Sequence, residues 1–329
     1  MTTALQFIAS LILVVVASEL FTNAIEWAGF HLNLGSGATG SLLAALGTSL
    51  PETVVPIVAL ATHSPSANAV ATGAVLGSPF LLLTLGAGAT GIAVIIRGGD
   101  RRLTIDPRQA RRDLGVFLGA FIVAVFSSLL PRGARIAVGA GLLIVYAAYV
   151  VATLRGSGKA GDQPEPLHIV RWRPGEPHPL LVSVQLLLAV GLLIVGSQLF
   201  VTALDRTSSA LQIPAMVLAL VIVPVATELP ETLNSVLWIR SRDDMLAFGN
   251  VAGSAAFQSC VLAALGVVFT TWQLGSAGVI SATLTILVAA FLLALLWRGQ
   301  ARGSLLALAA VPWVIYVVAQ VATGGRLAL

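Results

Sequence analysis

The sequence has 329 residues, 57% of them hydrophobic and only 10% charged, with a formal net charge of +4. A soluble globular chain carries about 25% charged residues, so this composition excludes a soluble enzyme, and its basic balance is no argument for a nucleic-acid partner. That balance comes from arginines between apolar segments, with Lys159 the single lysine, and the lone Cys260 excludes an internal disulfide and reads as inert packing.

Apolar stretches of about 20 residues, long enough to span a bilayer, recur along the whole chain. They predict an all-α polytopic membrane protein with ten transmembrane helices, at about 4–24, 38–61, 68–96, 114–130, 134–154, 180–203, 210–238, 245–270, 276–297 and 304–321. The first run, Ala4 to Leu20, is not preceded by Lys or Arg and has no clear cleavage pattern, so a signal peptide is not expected. Connections are short except 97–112 and 155–179. The second holds Pro164, Pro166, Pro174, Pro177 and Pro179, which suits a semi-rigid polar linker.

Basic residues set the orientation. With the N-terminus outside, the cytoplasmic loops hold fourteen: Arg97, Arg101, Arg102, Arg108, Arg111, Arg112, Arg155, Lys159, Arg171, Arg173, Arg240, Arg242, Arg298 and Arg302. Four, Arg132, Arg135, Arg206 and Arg326, remain outside. The expected setting is a prokaryotic cell membrane with both termini outside the cytoplasm.

The chain also repeats. Ala17-Ser18-Glu19-Leu20-Phe21 aligns with Gly196-Ser197-Gln198-Leu199-Phe200 at an offset of 179, which also places Glu26 on Asp205 and Glu52 on Glu231. Gly73-Ala74-Val75-Leu76-Gly77-Ser78 aligns with Gly249-Asn250-Val251-Ala252-Gly253-Ser254 at an offset of 176. Residues 1–154 are then a first five-helix repeat, 155–179 a cytoplasmic linker and 180–329 a second five-helix repeat. An odd number of spans per half makes the repeat an inverted one, an arrangement typical of secondary transporters with a midplane site.

The repeat centres on Gly47-Thr48-Ser49-Leu50-Pro51-Glu52-Thr53 and Ala226-Thr227-Glu228-Leu229-Pro230-Glu231-Thr232. Each copy places a proline and a carboxylate inside an apolar run. Pro51 and Pro230 cannot donate to the carbonyls of Gly47 and Ala226, and broken backbone persists at membrane depth only where it is buried in protein or lines a wet cavity. Intramembrane carboxylates mark functional sites, since each costs about 2.5–3.5 kcal/mol on insertion scales. Helical spacing puts Thr48, Ser49 and Glu52 on one face, and Thr227, Glu228 and Glu231 on another. Ser78, Ser254 and Gln258 can close the site from the third and eighth spans. An all-oxygen set without His or Cys suits a hard cation, Ca²⁺ or Na⁺. Carboxylates so placed need a cation or protons to neutralise them, which is itself a coupling mechanism.

These motifs, with the following G-x-x-x-G-S segments, resemble the alpha repeats of the cation/Ca²⁺ exchanger superfamily over two blocks of about 40 residues. The resemblance implies ten spans in two inverted halves, exchange of Ca²⁺ against Na⁺ or H⁺, and Glu52 and Glu231 as central Ca²⁺ ligands. It also implies roles for Thr48, Ser49, Thr227, Ser78 and Ser254. The sequence departs from the sodium-coupled pattern where Glu228 replaces Ser, Ala226 replaces Gly and Ala74 replaces Asn. Leu82 and Gln258 also stand where Asn or Asp is expected. Fewer neutral oxygens and an added acid favour H⁺ coupling. No resident cofactor is expected; Ca²⁺ with H⁺ or Na⁺ is the cargo and the lipid bilayer the surroundings.

Other features read more plainly. Glu19, whose counterpart in the repeat is Gln198, is expected to hydrogen-bond in helix packing, and Glu26 and Asp205 to lie at the interface. The G-x-G-x-x-G matches at 35–40 and 86–91 lie in no predicted βαβ unit, and the Gly73/Gly77 and Gly249/Gly253 pairs read as close helix packing. His31, His63, His168 and His178 fall in or near loops without a zinc motif. A non-transporting structural or regulatory remnant and a passive channel are the competing readings. An intramembrane enzyme ranks last, since no nucleophile–base pair lies in the spans.

Overall fold

The computed structural model describes residues 2–32, 49–98, 102–155, 164–172 and 175–325. Helix α1 (Thr2–His31) is followed by α2 (Leu50–Ala61) and α3 (Ala67–Leu81), which runs through a π-turn (Leu82–Gly86) into α4 (Ala87–Gly98). Then come α5 (Pro107–Phe126), α6 (Arg132–Arg155), α7 (Pro179–Leu211) and α8 (Ala215–Arg240). Helix α9 (Asp244–Phe257) passes through a second π-turn (Gln258–Leu262) into α10 (Ala263–Phe269). Last are α11 (Gly275–Trp297), the short α12 (Gly303–Ala307), a 3₁₀ turn and α13 (Val311–Ala322).

Among the described residues nine helical stretches are long and apolar enough to cross a membrane, as expected of an integral multi-pass protein. The predicted span 38–61 is described only from residue 49 onward. Helix ends extend beyond the apolar windows: α1 continues past residue 24 to His31 and α7 past 203 to Leu211. Helix α5 begins at Pro107 rather than 114 because Asp106 caps it, accepting from the Arg108 amide at 2.8 Å with proline in the first turn.

The internal repeat is visible in the backbone. The two π-turns begin 176 residues apart, at Leu82 and Gln258, and α4 and α10 start at Ala87 and Ala263. Such π-turns leave ladder groups open and occur often at functional sites.

Helix α8 is the central element, packed against α3, α4, α9 and α1. A Cβ on Gly73 would lie 2.5 Å from the Met216 carbonyl oxygen, and one on Gly77 2.3 Å from that of Leu220. Only glycine allows this approach. The Leu220 carbonyl is the one Pro224 leaves without its helical donor. Two expectations are corrected here. Pro51 does open a helix, but Pro224 and Pro230 lie inside α8, which runs unbroken to Arg240 because the packed neighbour supports the weakened backbone. Gly249, the counterpart of Gly73, faces open space, with nothing within 4 Å of the place a Cβ would take, so the packing role does not hold at that position.

The second G-x-G-x-x-G segment is also helix packing. A Cβ on Gly88 or Gly91 would fall 2.6 Å from Ala310 Cβ or 2.4 Å from the Ala307 nitrogen. The first such segment lies outside the described residues.

Loops that alternate along the chain meet at the two ends of the bundle. At one end the Leu103 amide donates to Ala301 O (2.9 Å), Arg97 Nη1 to Ile239 O (2.8 Å) and Arg111 Nη2 to Leu296 O (2.9 Å). At the other, the Thr271 amide donates to Asn68 Oδ1 (2.9 Å), Arg135 Nη1 to Thr271 O (2.6 Å), and Ser66 Oγ to Asp205. The described part of the linker is docked, not a mere spacer. Leu167 is buried, Glu165 O accepts from Trp27 Nε1 (2.8 Å), and the His168 amide donates to Asn23 Oδ1 (3.0 Å). Glu19 bonds to the linker and not to a packed helix. The α1–α7 contact runs through Val14, Ala17, Phe21, Ala189 and Leu193, leaving Gln198 exposed, and Glu19 pairs with His168 Nε2 at 3.4 Å.

Candidate cation site

The first limb of the site is the start of α2. Ser49 holds the N-cap position, Pro51 stands in the first turn where its missing amide costs nothing, and Glu52 follows. An anion there is favoured by the positive end of the helix. The second limb is the middle of α8, where Thr227, Glu228 and Glu231 line one face. All five of Ser49, Glu52, Thr227, Glu228 and Glu231 are fully buried.

The three carboxylates converge. One oxygen from each of Glu52, Glu228 and Glu231 lies within 4.8 Å of the others. No arginine or lysine among the described residues bridges to Glu52 or Glu228. Ionised carboxylates at that separation repel by roughly 3–4 kcal/mol per pair in a medium of effective dielectric 20, so the cluster requires a cation or protons for neutrality.

The third limb comes from the two π-turn segments. Gln258 Nε2 donates to Glu228 Oε1 at 2.7 Å, and Ser78 lies beside the same carboxylate. Ser78 and Ser254 are buried. The carboxyl groups of Glu52 and Glu228 lie within hydrogen-bonding reach of each other, and the hydroxyls of Ser49 and Ser254 and Gln258 Oε1 are buried without a hydrogen bond. Buried polar atoms rarely go unpaired, and here their lone pairs are all oxygen ligands for a hard cation.

The residues singled out from sequence therefore fall in three groups. Glu52, Glu228 and Glu231 form the cluster, with Gln258 and Ser78 against it. Ser49, Ser254 and Thr227 are buried beside it, and the Thr227 hydroxyl donates its proton to Val223 O at 3.3 Å, which leaves its lone pairs free. Thr48 lies outside the described residues. Leu82, at the place Gln258 holds in the other π-turn, is fully buried and offers no polar atom.

One neighbour was passed over in the sequence. Asn250 Nδ2 donates to Glu231 O (3.4 Å) and Ser235 Oγ (3.3 Å), tying α9 to α8 one side chain from the cluster. Its signal was the asparagine of the second G-N-x-x-G-S block, absent at Ala74.

Comparison with known proteins agrees with this architecture. The family described as "Sodium/calcium exchanger protein" matches residues 2–155 and 181–322. CaxA of Alkalimonas amylolytica is 28% identical over 263 residues, covering 79% of this chain and 78% of that protein. The membrane protein MJ0091 of Methanocaldococcus jannaschii is 26% identical over 252 residues, covering 75% and 76%. Among solved structures, the H⁺/Ca²⁺ exchanger CAX superposes with a TM-score of 0.79 at 19% identity, over 97% of this chain and 81% of that one. The sodium-calcium exchanger NCX_Mj gives 0.58 at 21% identity, over 96% and 98%. The three-carboxylate cluster thus sits in an all-helical fold shared with these exchangers, and the chain belongs to the sodium/calcium exchanger protein family.

Proposed function

We propose that this protein is a secondary antiporter that binds Ca²⁺ at Glu52, Glu228 and Glu231 and exchanges it for H⁺ in preference to Na⁺. The observation that carries the reading is the meeting of three buried carboxylates within 4.8 Å. Ser49, Ser78, Ser254 and Gln258 supply neutral oxygens around them, with Thr48 and Thr227 as further motif hydroxyls. Membership of the exchanger family and the fold shared with CAX and NCX_Mj support a cation-exchange role.

The mechanism follows from charge. An empty, ionised cluster cannot enter a dry, occluded state, whereas a Ca²⁺-loaded or protonated one can. Alternating access then proceeds only with a load, and Ca²⁺ on one side is traded for protons on the other. On this reading the chain has ten spans in two inverted halves, with α2 and α8 as pseudo-symmetric partners at the midplane. Both termini then face away from the cytoplasm.

The test is Ca²⁺ flux in proteoliposomes with imposed pH or Na⁺ gradients. Uphill Ca²⁺ accumulation driven by pH supports the reading. Flux that only ever runs downhill identifies a channel, and absence of both flux and calorimetric Ca²⁺ binding identifies a non-transporting member of the fold.

A further inference from the structure

We propose that the protein carries a phosphate-binding pocket, formed by Arg97, Arg102 and Arg242 at one end of the bundle and filled by the headgroup of an anionic lipid. The pocket shares no lining residue with the carboxylate cluster and is a cavity of about 280 Å³, lined by Arg97, Gly98, Arg102, Thr104, Arg242 and Asp244. It stands where α4 and α8 end and α9 begins, beside the strand-like pairing of Arg102 with Arg302.

Its charge is divided in a telling way. Arg97 is pinned: it forms a two-pronged ion pair with Asp244 and donates Nη1 to Ile239 O. Asp244 is buried and also accepts from the Thr104 amide at 2.9 Å, so its lone pairs are engaged. Arg102 and Arg242 form no ion pair among the described residues, and both are exposed at the mouth. Among the described residues the walls carry three guanidinium groups against one carboxylate. Two arginines without an ion pair among the described residues, lining one cavity with a third that is already fixed, offer forked guanidinium donors suited to a phosphate's oxygens.

The position argues for lipid over a soluble anion. Directly below Arg97 on α4, Ile92, Ile95 and Ile96 are exposed, with Ile96 78% accessible, a stripe on which acyl chains can lie. The same end of the bundle has another mark of a headgroup layer: Arg111 stacks on the exposed Trp297 at 4.6 Å. Basic pockets between transmembrane helices are known hosts of anionic headgroups.

The test uses the purified full-length protein, with native mass spectrometry to count retained phosphatidylglycerol against phosphatidylcholine. Three proteins are compared: the wild type, the pocket variant Arg102→Gln/Arg242→Gln and a charge-matched control, Arg108→Gln/Arg298→Gln. The pocket variant should lose phosphatidylglycerol by roughly 30-fold, two arginine contacts at their usual worth, while the control retains it. Each single pocket variant should give an intermediate loss and serves as the test should the double variant fold poorly. Equal retention by all three proteins, or equal loss from pocket variant and control, overturns the proposal. Displacement of phosphatidylglycerol by millimolar inorganic phosphate in the wild type overturns the assignment to lipid and leaves a free phosphate as the ligand.

Discussion

Gln258 donates its side-chain amide to Glu228 at 2.7 Å, while Leu82, at the same place in the first π-turn, has no polar atom to offer Ser49, the residue aligned with Glu228. The two π-turns match in backbone and differ in chemistry. A hydrogen bond to a charged group contributes about 1.5–3 kcal/mol. Gln258→Leu should therefore lower thermal stability more in chelator than in saturating Ca²⁺, because a bound cation takes over the stabilisation of Glu228. Thermal unfolding of the purified variant with and without Ca²⁺ measures this. Equal losses in both conditions would assign Gln258 to packing alone.

Glu52→Gln and Glu231→Gln should each reduce Ca²⁺ uptake into proteoliposomes to background without loss of fold. Each substitution keeps shape and volume and removes one of three mutually repelling charges. Stability of the ion-free protein should thus be unchanged or higher. Near-normal flux in either purified variant would sink the site assignment.

The glycine asymmetry gives a sharp pair. Gly73→Ala drives a Cβ to 2.5 Å from the Met216 carbonyl and should cost about 1–3 kcal/mol by forcing α3 off α8. Gly249→Ala, its repeat counterpart, meets open space and should be neutral or gain up to about 1 kcal/mol from helix propensity. Comparing their unfolding midpoints checks the packing, and indistinguishable effects would count against it.

Orientation is testable by labelling, and Cys260, being fully buried, should stay silent. A cysteine at Thr104 should resist a membrane-impermeant reagent in intact cells, and one at Arg326 should react. The reverse pattern would invert the topology.

Much of this was legible from residue order because apolar length and the paired L-P-E motifs are local signals. Glu52, Glu228 and Glu231 could be brought together by spacing and repeat alignment without coordinates. What escaped were features set by neighbours. Whether α8 breaks at Pro230 depends on the helix pressed against it, and whether Gly249 packs tightly depends on what faces it. Glu19 finds His168 of the linker, 149 residues away, a pairing no local pattern announces. Asn250 was visible as a letter of the motif, but its bond to the Glu231 carbonyl requires the α8–α9 contact.

The last prediction concerns coupling. Glu228 is the acid that the sodium-coupled pattern lacks, three residues before Glu231 and within 4.8 Å of both other carboxylates. Three such groups cannot all stay charged in a dry site, so protons must leave when Ca²⁺ enters and return when it departs. Protons and Ca²⁺ then compete, and uptake should fall as the binding side is acidified. Na⁺ needs a cage of neutral oxygens instead, and Leu82 removes one at the position where Gln258 keeps it. A pH gradient should consequently drive Ca²⁺ accumulation more strongly than a Na⁺ gradient of equal size. Glu228→Ser removes the extra acid and adds a neutral oxygen, so it should flatten the pH dependence and open the site to Na⁺. Uptake in the wild type that follows Na⁺ alone, unmoved by pH or by this substitution, would make Glu228 structural and defeat the proton reading.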